Sequence, residues 1–361
     1  MAYQRGKKAS AEDQVDVYEQ VTNKFIEKFT SALDKGTPPW KKCWAMDLPN
    51  NPKSGTVYQG MNCVLLMMEA EEKGYSSNQW VTWLQKEEMG LKLLPKQKMT
   101  MITKKGFYIQ EPGADGKMKS ITIDSDDPRM KDDSIQKRSF MKRFYVFNMA
   151  QFEGYTPPEE RKDVFKIKEA DLFIEAMQKK ANLQVRHGAN NAYYNPTEDY
   201  VHLPHKHYFK TAEGYYSTFG HESSHATMHK SRLNRKEGMG NIFGSTAYAR
   251  EELRAEISSV ILNSMLGMQF EEEHFQNHAA YIKSWIKALQ EDKREIFRAA
   301  TDAQKIVTYQ MDRLKEYKLE LGADTELSTP IQVSLSKEHY HQINLSNQAF
   351  SSACVSKYFF Q

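Results

Sequence analysis

Five consecutive residues in the second half of the chain, 221–225, read His-Glu-Ser-Ser-His. In this His-Glu-x-x-His pattern a helix carries two zinc-binding histidines and a general base. His221 and His225 are four residues apart, so on an α-helix they lie on one face and both imidazoles can reach one metal ion. Glu222 follows the first ligand and is placed to take a proton from a metal-bound water. The motif therefore predicts a zinc site that activates water.

A catalytic zinc site commonly uses three protein ligands and one water, so a third ligand must come from elsewhere in the chain. Residues 248–256 are rich in helix-forming types and contain three glutamates. We expect Glu252 to be the third ligand. Glu256 lies one turn further along the same face and is expected to orient a histidine from the second coordination sphere. Glu251 is an alternative third ligand, and the sequence leaves that choice open.

The composition is typical of a soluble globular protein. The 361 residues are 40% hydrophobic and 27% charged, and the chain is long enough for two domains. Its three cysteines form no CxxC pair, which favours a reducing compartment. The sequence contains no apolar leader and no run of about 18 apolar residues. We therefore expect a cytoplasmic location and no membrane partner.

The elements that position the metal motif belong to the second of two predicted domains. After a linker at 156–165, residues 166–322 predict a helix, a strand and a hairpin, followed by the metal helix at 215–230 and a long helical part. In zincin-type peptidases a strand directly before the metal helix pairs with an extended substrate. We expect Tyr200 and His202 to lie on that strand. The tail 323–361 gives only weak signals.

The first part of the chain predicts a small α+β domain at 15–155, after a disordered arm at 1–14. The apolar spacing predicts helices at 15–34 and 63–73, and a further helix over 78–85. From residue 91 to 147 the pattern is that of strands joined by turns. The expected fold class is therefore α+β, with two domains and a long helical C-terminal part.

Lysines and aromatic residues are concentrated in this first part. Lys96 and Lys98 belong to the strand region, and the tryptophans Trp40, Trp44 and Trp80 lie nearby in the sequence. Single-strand binding without base readout combines stacking on aromatic rings with cations that contact phosphates. The alternatives are a solvated charged face and tryptophans that close a small core.

Motifs in both halves are similar to those of one known family. Three are in the first half, at residues 58–62, 79–85 and 146–148, together with Pro39-Trp40. Four are in the second half, at residues 221–225, 232–235, 248–256 and 281–285. With these motifs in this order, the sequence resembles the ArdC-type antirestriction proteins of plasmids and phages.

The resemblance implies an N-terminal domain that binds single-stranded DNA, with Asn62 and Gln85 among its DNA-binding residues. It also implies a zincin-like metallopeptidase domain with Zn²⁺ as cofactor, for which Mn²⁺ or Co²⁺ could substitute. Such a protein accompanies incoming DNA and shields it from host restriction. Its partners would be single-stranded DNA and a protein substrate, for which a host defence protein is one candidate.

Two interpretations of the function remain open. In the first, the chain is a DNA-associated zinc peptidase. In the second, it coats single-stranded DNA, and its metal-binding domain is structural or weakly active. The intact Glu222 favours the first interpretation, since loss of the base is the simplest mark of an inactive enzyme.

Overall fold

A computed structural model describes residues 16–36, 48–112, 117–123, 127–156, 167–188, 191–235, 245–268 and 273–322. Some of the predicted features lie outside these ranges. They are the N-terminal arm at 1–14, Trp40, Trp44, most of the linker at 156–165 and the tail at 323–361.

The described residues form the mixed helical and sheet fold that the sequence predicts. Its α-helices are α1 Val17–Lys35, α2 Gly60–Lys73, α3 Trp83–Glu88, α4 Ile167–Lys180, α5 Ala212–Ala226, α6 Thr246–Leu266, α7 Glu273–Glu291 and α8 Glu295–Glu320. Its strands are β1 Trp80–Thr82, β2 Thr100–Pro112, β3 Met118–Ile123, β4 Arg138–Asn148, β5 Gln184–Gly188, β6 Tyr193–Asn195 and β7 Tyr200–Pro204. None of the helices in the described ranges combines the length and apolarity needed to cross a membrane.

The first sheet has the strand order β1-β4-β2-β3, and all of its pairs are antiparallel. The predicted helix over 78–85 is wrong in its first part, because Trp80 and Val81 pair with β4 as strand β1. Aromatic and β-branched residues favour a strand at this place. The helix begins only after Thr82, which forms a capping box with Gln85.

One hydrophobic core extends through both halves of the chain. It includes Phe29 of α1, Met67 of α2, Trp285 of α7 and Ala303 of α8. The ring centroids of Phe29 and Trp285 lie 5.6 Å apart. The helices of the first half are therefore packed against the two long helices at the end of the second half. The predicted domain boundaries stay a prediction, but the core is continuous across them.

The second sheet has the order β5-β7-β6, with β5 parallel and β6 antiparallel to β7. Strand β7, which carries Tyr200 and His202, is therefore the central strand. Both of its edges are occupied, so our expectation that a substrate pairs along this strand is wrong. Within the described part of this sheet, β6 pairs on one side only.

Helix α5 carries the metal motif and is almost entirely buried. The hydroxyl of Thr211 caps its first turn by accepting a hydrogen bond from the Gly214 N–H at 3.1 Å. The helix ends at Ala226, four residues earlier than predicted from the sequence. His229 therefore lies beyond the helix, in the turns that follow it.

Candidate metal centre

Three side chains from two helices converge at the motif. His221 and His225 of α5 place their Nε2 atoms 3.2 Å apart. The carboxylate of Glu252, on α6, lies 3.6 Å from Nε2 of His221 and 3.4 Å from Nε2 of His225. One ligand atom from each residue lies within 4.8 Å of the others. This donor set could hold a divalent metal ion and leave one coordination position open.

The structure distinguishes Glu251 from Glu252, the two alternatives for the third ligand. Glu251 faces Nδ1 of His225 at 3.3 Å, on the opposite side of the imidazole from the shared Nε2 region. Arg235 donates two hydrogen bonds to the same carboxylate, at 2.6 and 2.9 Å. Glu256 lies 3.6 Å from Nδ1 of His221. Each histidine is thus backed by a carboxylate that can fix its orientation, as is common around metal sites.

Glu222 is buried beside the three candidate ligands. The backbone of Tyr194, on β6, lies close enough to this carboxylate to favour its charged form and so to lower its pKa slightly. Burial raises the pKa of Glu222, and this effect outweighs the opposing influence of His221 and His225. A carboxyl group with a raised pKa is suited to accept a proton from water during catalysis.

The three candidate ligands also shift the protonation of one another. Burial lowers the pKa of both histidines, but the neighbouring carboxylates outweigh it, so the pKa of His221 is raised well above 6.5. The pKa of His225 is raised to about 9. Burial raises the pKa of Glu252, but the two histidines hold it well below 4.5. Without a metal the centre is therefore a buried set of ion pairs.

Metal binding near neutral pH should release protons, because a histidine must be neutral to bind a metal ion. The apparent affinity should rise as the pH rises toward about 9, since fewer protons then remain on His225. Calorimetric titration of the metal-free protein with Zn²⁺, in buffers of different ionisation enthalpy, measures this release. A heat that is the same in every buffer, with an affinity that does not change with pH, would contradict the prediction.

Two tyrosines complete the surroundings of the site, and sequence reasoning missed them. Tyr248 precedes Glu252 by one helical turn and hydrogen-bonds its carboxylate. Its hydroxyl lies 3.3 Å from that of Tyr281, on α7. Burial raises the pKa of both phenols, and the negative charge of Glu252 raises it further. The signal for Tyr248 was its i,i+4 spacing to a predicted ligand.

The structure changes the assignment of the predicted DNA-binding residues. Trp80 is 0% exposed and packs against Tyr75 with ring centroids 6.0 Å apart, so its indole cannot stack on a base. The prediction for Trp80 is therefore wrong. Among the tryptophans in the described ranges, the one accessible for stacking is Trp83, which is 54% exposed at the start of α3. The Nζ atom of Lys86 lies 4.9 Å from the centroid of this ring.

Asn62 and Gln85 have structural roles in this fold. The side-chain amide of Asn62 donates to the carbonyl of Thr103 at 2.7 Å and accepts from its N–H at 2.8 Å. The amide thereby pairs with both backbone groups of one residue of β2, as a neighbouring strand would. The side-chain oxygen of Gln85 accepts from the Thr82 N–H at 2.9 Å and from the amide of Asn51 at 2.8 Å.

The remaining predicted DNA contacts lie on the surface. Lys96 and Lys98 are exposed in the segment that leads into β2. Phe144 and Tyr145 of β4 are also exposed. On the same strand, the Nζ atom of Lys142 lies 5.1 Å from the centroid of the Phe140 ring. The first sheet thus carries exposed aromatic rings and cations together.

Two family models match the chain, one in each half. A model described as the N-terminal domain of the anti-restriction factor ArdC matches residues 15–147. A model described as a zincin-like metallopeptidase matches residues 171–302. The metal-free crystal structure of the antirestriction protein ArdC from plasmid R388 is 34% identical and superposes with a TM-score of 0.65. The match covers 84% of this chain and 99% of that protein.

The chain belongs to the ArdC family of antirestriction proteins. The Mn(II)-bound structure of the R388 ArdC protein is similar to the same degree, with 34% identity and a TM-score of 0.63 over 83% of this chain and 98% of that one. An uncharacterised protein y4eC of Sinorhizobium fredii (strain NBRC 101917 / NGR234) is 31% identical over 304 residues, which are 81% of this ArdC-family chain and 91% of y4eC.

Two longer proteins also contain a segment similar to this ArdC-family chain. They are two DNA primases TraC of Escherichia coli, 37% and 35% identical over 302 and 298 residues. The matches cover 82% and 81% of this chain. The chain spans only 27% and 20% of the length of these two primases.

Proposed function

We propose that this ArdC-family chain is a zinc-dependent peptidase that binds single-stranded DNA and protects incoming DNA from host restriction. The observation that carries the peptidase part is the convergence of His221, His225 and Glu252 beside the buried Glu222. Two imidazoles and one carboxylate suit zinc, and manganese or cobalt could occupy the same donor set. The R388 relative has a Mn(II)-bound structure, which supports a divalent ion as the cofactor of this chain. We place the protein in the cytoplasm of the host or recipient cell.

In this proposal each nearby side chain has a separate task. When bound, the metal supplies the positive charge that polarises a water molecule and a peptide carbonyl. Glu222 accepts a proton from the attacking water and returns it to the leaving amine. Tyr281 is a protonated phenol near Glu252 and Glu222, and we assign it as the hydrogen-bond donor for the oxygen that gains negative charge, whereas Tyr248 donates to Glu252.

The free edge of β6 is the proposed place for the substrate backbone. This strand passes beside Glu222, since the Tyr194 backbone is close enough to influence the charge of that carboxylate. An extended peptide can add to such an edge as a further strand. Tyr200 and His202 then act through side chains, since the ring of Tyr193 stacks on that of His202 with centroids 4.9 Å apart. The protein substrate would be a host defence protein.

The second candidate function is that of a strand-coating protein whose metal centre is structural or weakly active. The exposed rings and cations of the first sheet favour it, because coating needs stacking surfaces and phosphate contacts alone. Both functions share DNA binding and differ only in whether protection requires Glu222. A direct comparison of Glu222→Gln with the wild-type protein tests this difference.

Trp83→Ala should weaken binding of single-stranded DNA by about 1–3 kcal/mol, which is the usual contribution of one stacked base. The matched control is Leu84→Ala, since Leu84 is the next residue and is also exposed but has no aromatic face. Titration of a labelled oligonucleotide at several salt concentrations separates stacking from charge. Trp83→Ala should leave the slope of log affinity against log salt concentration unchanged. The double variant Lys96→Gln/Lys98→Gln should make this slope less steep by roughly 0.7 per lost phosphate contact. Equal affinities for Trp83→Ala and wild type would refute the stacking role.

A further inference from the structure

The short segment after the metal helix carries two arginines, Arg232 and Arg235, that reach in different directions. The side chain of Arg232 is 0% exposed. It donates hydrogen bonds to the carbonyl of Ala226 at 2.6 Å and to the carbonyl of Ala181 at 3.1 Å. These two contacts fix the guanidinium against the ends of α5 and α4.

The outer nitrogen of Arg232 is directed toward the β6–β7 hairpin. It forms an ion pair with Asp199, which lies in the turn of this hairpin with a left-handed φ of 56°. The same nitrogen lies 3.4 Å from the hydroxyl of Tyr194, and that hydroxyl donates to Asp199 at 2.8 Å. These contacts hold Tyr194, the middle residue of β6, whose backbone lies next to the proposed base Glu222.

Arg235 makes a different set of contacts, toward the metal ligands. Besides its two hydrogen bonds to Glu251, it donates to the carbonyl of Ser224 at 3.1 Å and to the hydroxyl of Thr227 at 3.2 Å. Glu251 in turn faces Nδ1 of His225. Arg235 therefore contacts a carboxylate that itself contacts the metal ligand His225.

We infer that the two arginines are positioning residues with separate tasks: Arg232 holds the substrate-binding edge of β6, and Arg235 holds the ligand His225. A guanidinium suits both tasks because its planar fork satisfies several fixed acceptors at once, whereas a lysine presents a single point charge. The task of Arg232 rests on the proposed peptidase function. The task of Arg235 rests only on metal binding.

The test compares three lysine substitutions in the full-length chain: Arg232→Lys, Arg235→Lys and Arg186→Lys. Arg186 is the matched control, because it pairs with Glu198 in the same β6–β7 turn at 2.8 Å but from the exposed side. Zn²⁺ affinity is measured by competition with a chromophoric chelator. Hydrogen exchange reports the stability of the β6 amides. The kinetic constants for an extended peptide are measured at saturating Zn²⁺.

Arg235→Lys should lower Zn²⁺ affinity about 10–100-fold, as changes in the outer shell of a metal ligand usually do. Its β6 exchange should stay at the wild-type rate, and so should its KM. Arg232→Lys should leave Zn²⁺ affinity unchanged, speed exchange at residues 193–195 and lower kcat/KM by up to about 100-fold, since a small displacement of substrate has effects of that size. Arg186→Lys should match the wild-type protein in Zn²⁺ affinity and in the exchange rate of the β6 amides.

Tyr194→Phe provides a second, milder test, because it removes only the hydroxyl that bonds to Asp199. It should speed hydrogen exchange of the β6 amides. The double variant Tyr194→Phe/Arg232→Lys should exchange no faster than Arg232→Lys alone. Equal loss of Zn²⁺ affinity in Arg232→Lys and Arg235→Lys, or unchanged β6 exchange in both Arg232→Lys and Tyr194→Phe, would overturn the inference. If the wild-type protein cleaves no peptide while the exchange and affinity results hold, the peptidase proposal fails: Arg235 still positions His225, and Arg232 holds β6 but not a substrate-binding edge.

Discussion

Replacing Glu222 with glutamine should lower peptide cleavage by a factor of about 10²–10⁴, the range that a general base usually contributes. Metal content and DNA binding should stay at wild-type values, because Glu222 is not one of the three residues whose ligand atoms converge. The amide has nearly the same shape as the carboxylate but cannot accept the proton. Cleavage of an extended peptide, elemental analysis and oligonucleotide titration measure the three properties separately.

The control for this experiment is Glu213→Gln, which changes a glutamate in the first turn of the same helix. If Glu222→Gln cleaves the peptide at the wild-type rate, Glu222 is not the general base. Protection of transforming DNA in a restricting host decides between the two functions. If Glu222→Gln keeps metal and DNA binding and still protects fully, proteolysis is dispensable and the coating function is correct.

His225→Ala should lose most of its bound metal. One of three converging ligands is removed, so the loss of affinity should exceed the about 10–100-fold that a change in the outer shell costs. Elemental analysis of the purified protein and chelator competition measure the effect. Both Zn²⁺ and Mn²⁺ should bind more weakly, since both depend on the same imidazole.

His229→Ala is the matched control for the metal experiment. His229 lies just beyond the end of α5, where its Nδ1 atom contacts the hydroxyl of Ser231 at 2.7 Å and Asp199 at 3.4 Å. It should keep the metal content of the wild-type protein. Equal metal content in His225→Ala and the wild-type protein would rule out the site.

The centre itself could be predicted from the sequence because its key spacing is local. His221 and His225 must share a helical face, whatever the rest of the fold does. The third ligand needed the structure, because Glu251 and Glu252 are only about 100° apart around one helix axis. Packing of α6 against α5 decides which of them meets the Nε2 atoms, and that packing is not local.

The errors in the sequence predictions have similar physical causes. Treating 78–85 as one helix hid the fact that Trp80 faces the core from a strand while Trp83 is exposed at the start of α3. The edge for a substrate was assigned to β7 because the hairpin pattern is visible in the sequence. The parallel pairing of β5 with β7, which makes β7 central, joins strands that are not consecutive in the chain, because β6 comes between them, and it leaves no local signal.

The core that joins the two matched segments has a consequence for how genes of this family can recombine. Residues of the first segment reach those of the second through specific contacts: the hydroxyl of Thr22 donates to the carbonyl of Lys293 at 2.6 Å, and the Nζ atom of Lys293 lies 2.8 Å from the carboxylate of Asp16. A crossover that replaced one segment with that of a relative 31–37% identical would place unmatched side chains in this shared core. Each overpacked position there costs typically about 1–3 kcal/mol. Selection should therefore favour inheritance of the two segments as a pair, even where they become part of a longer protein.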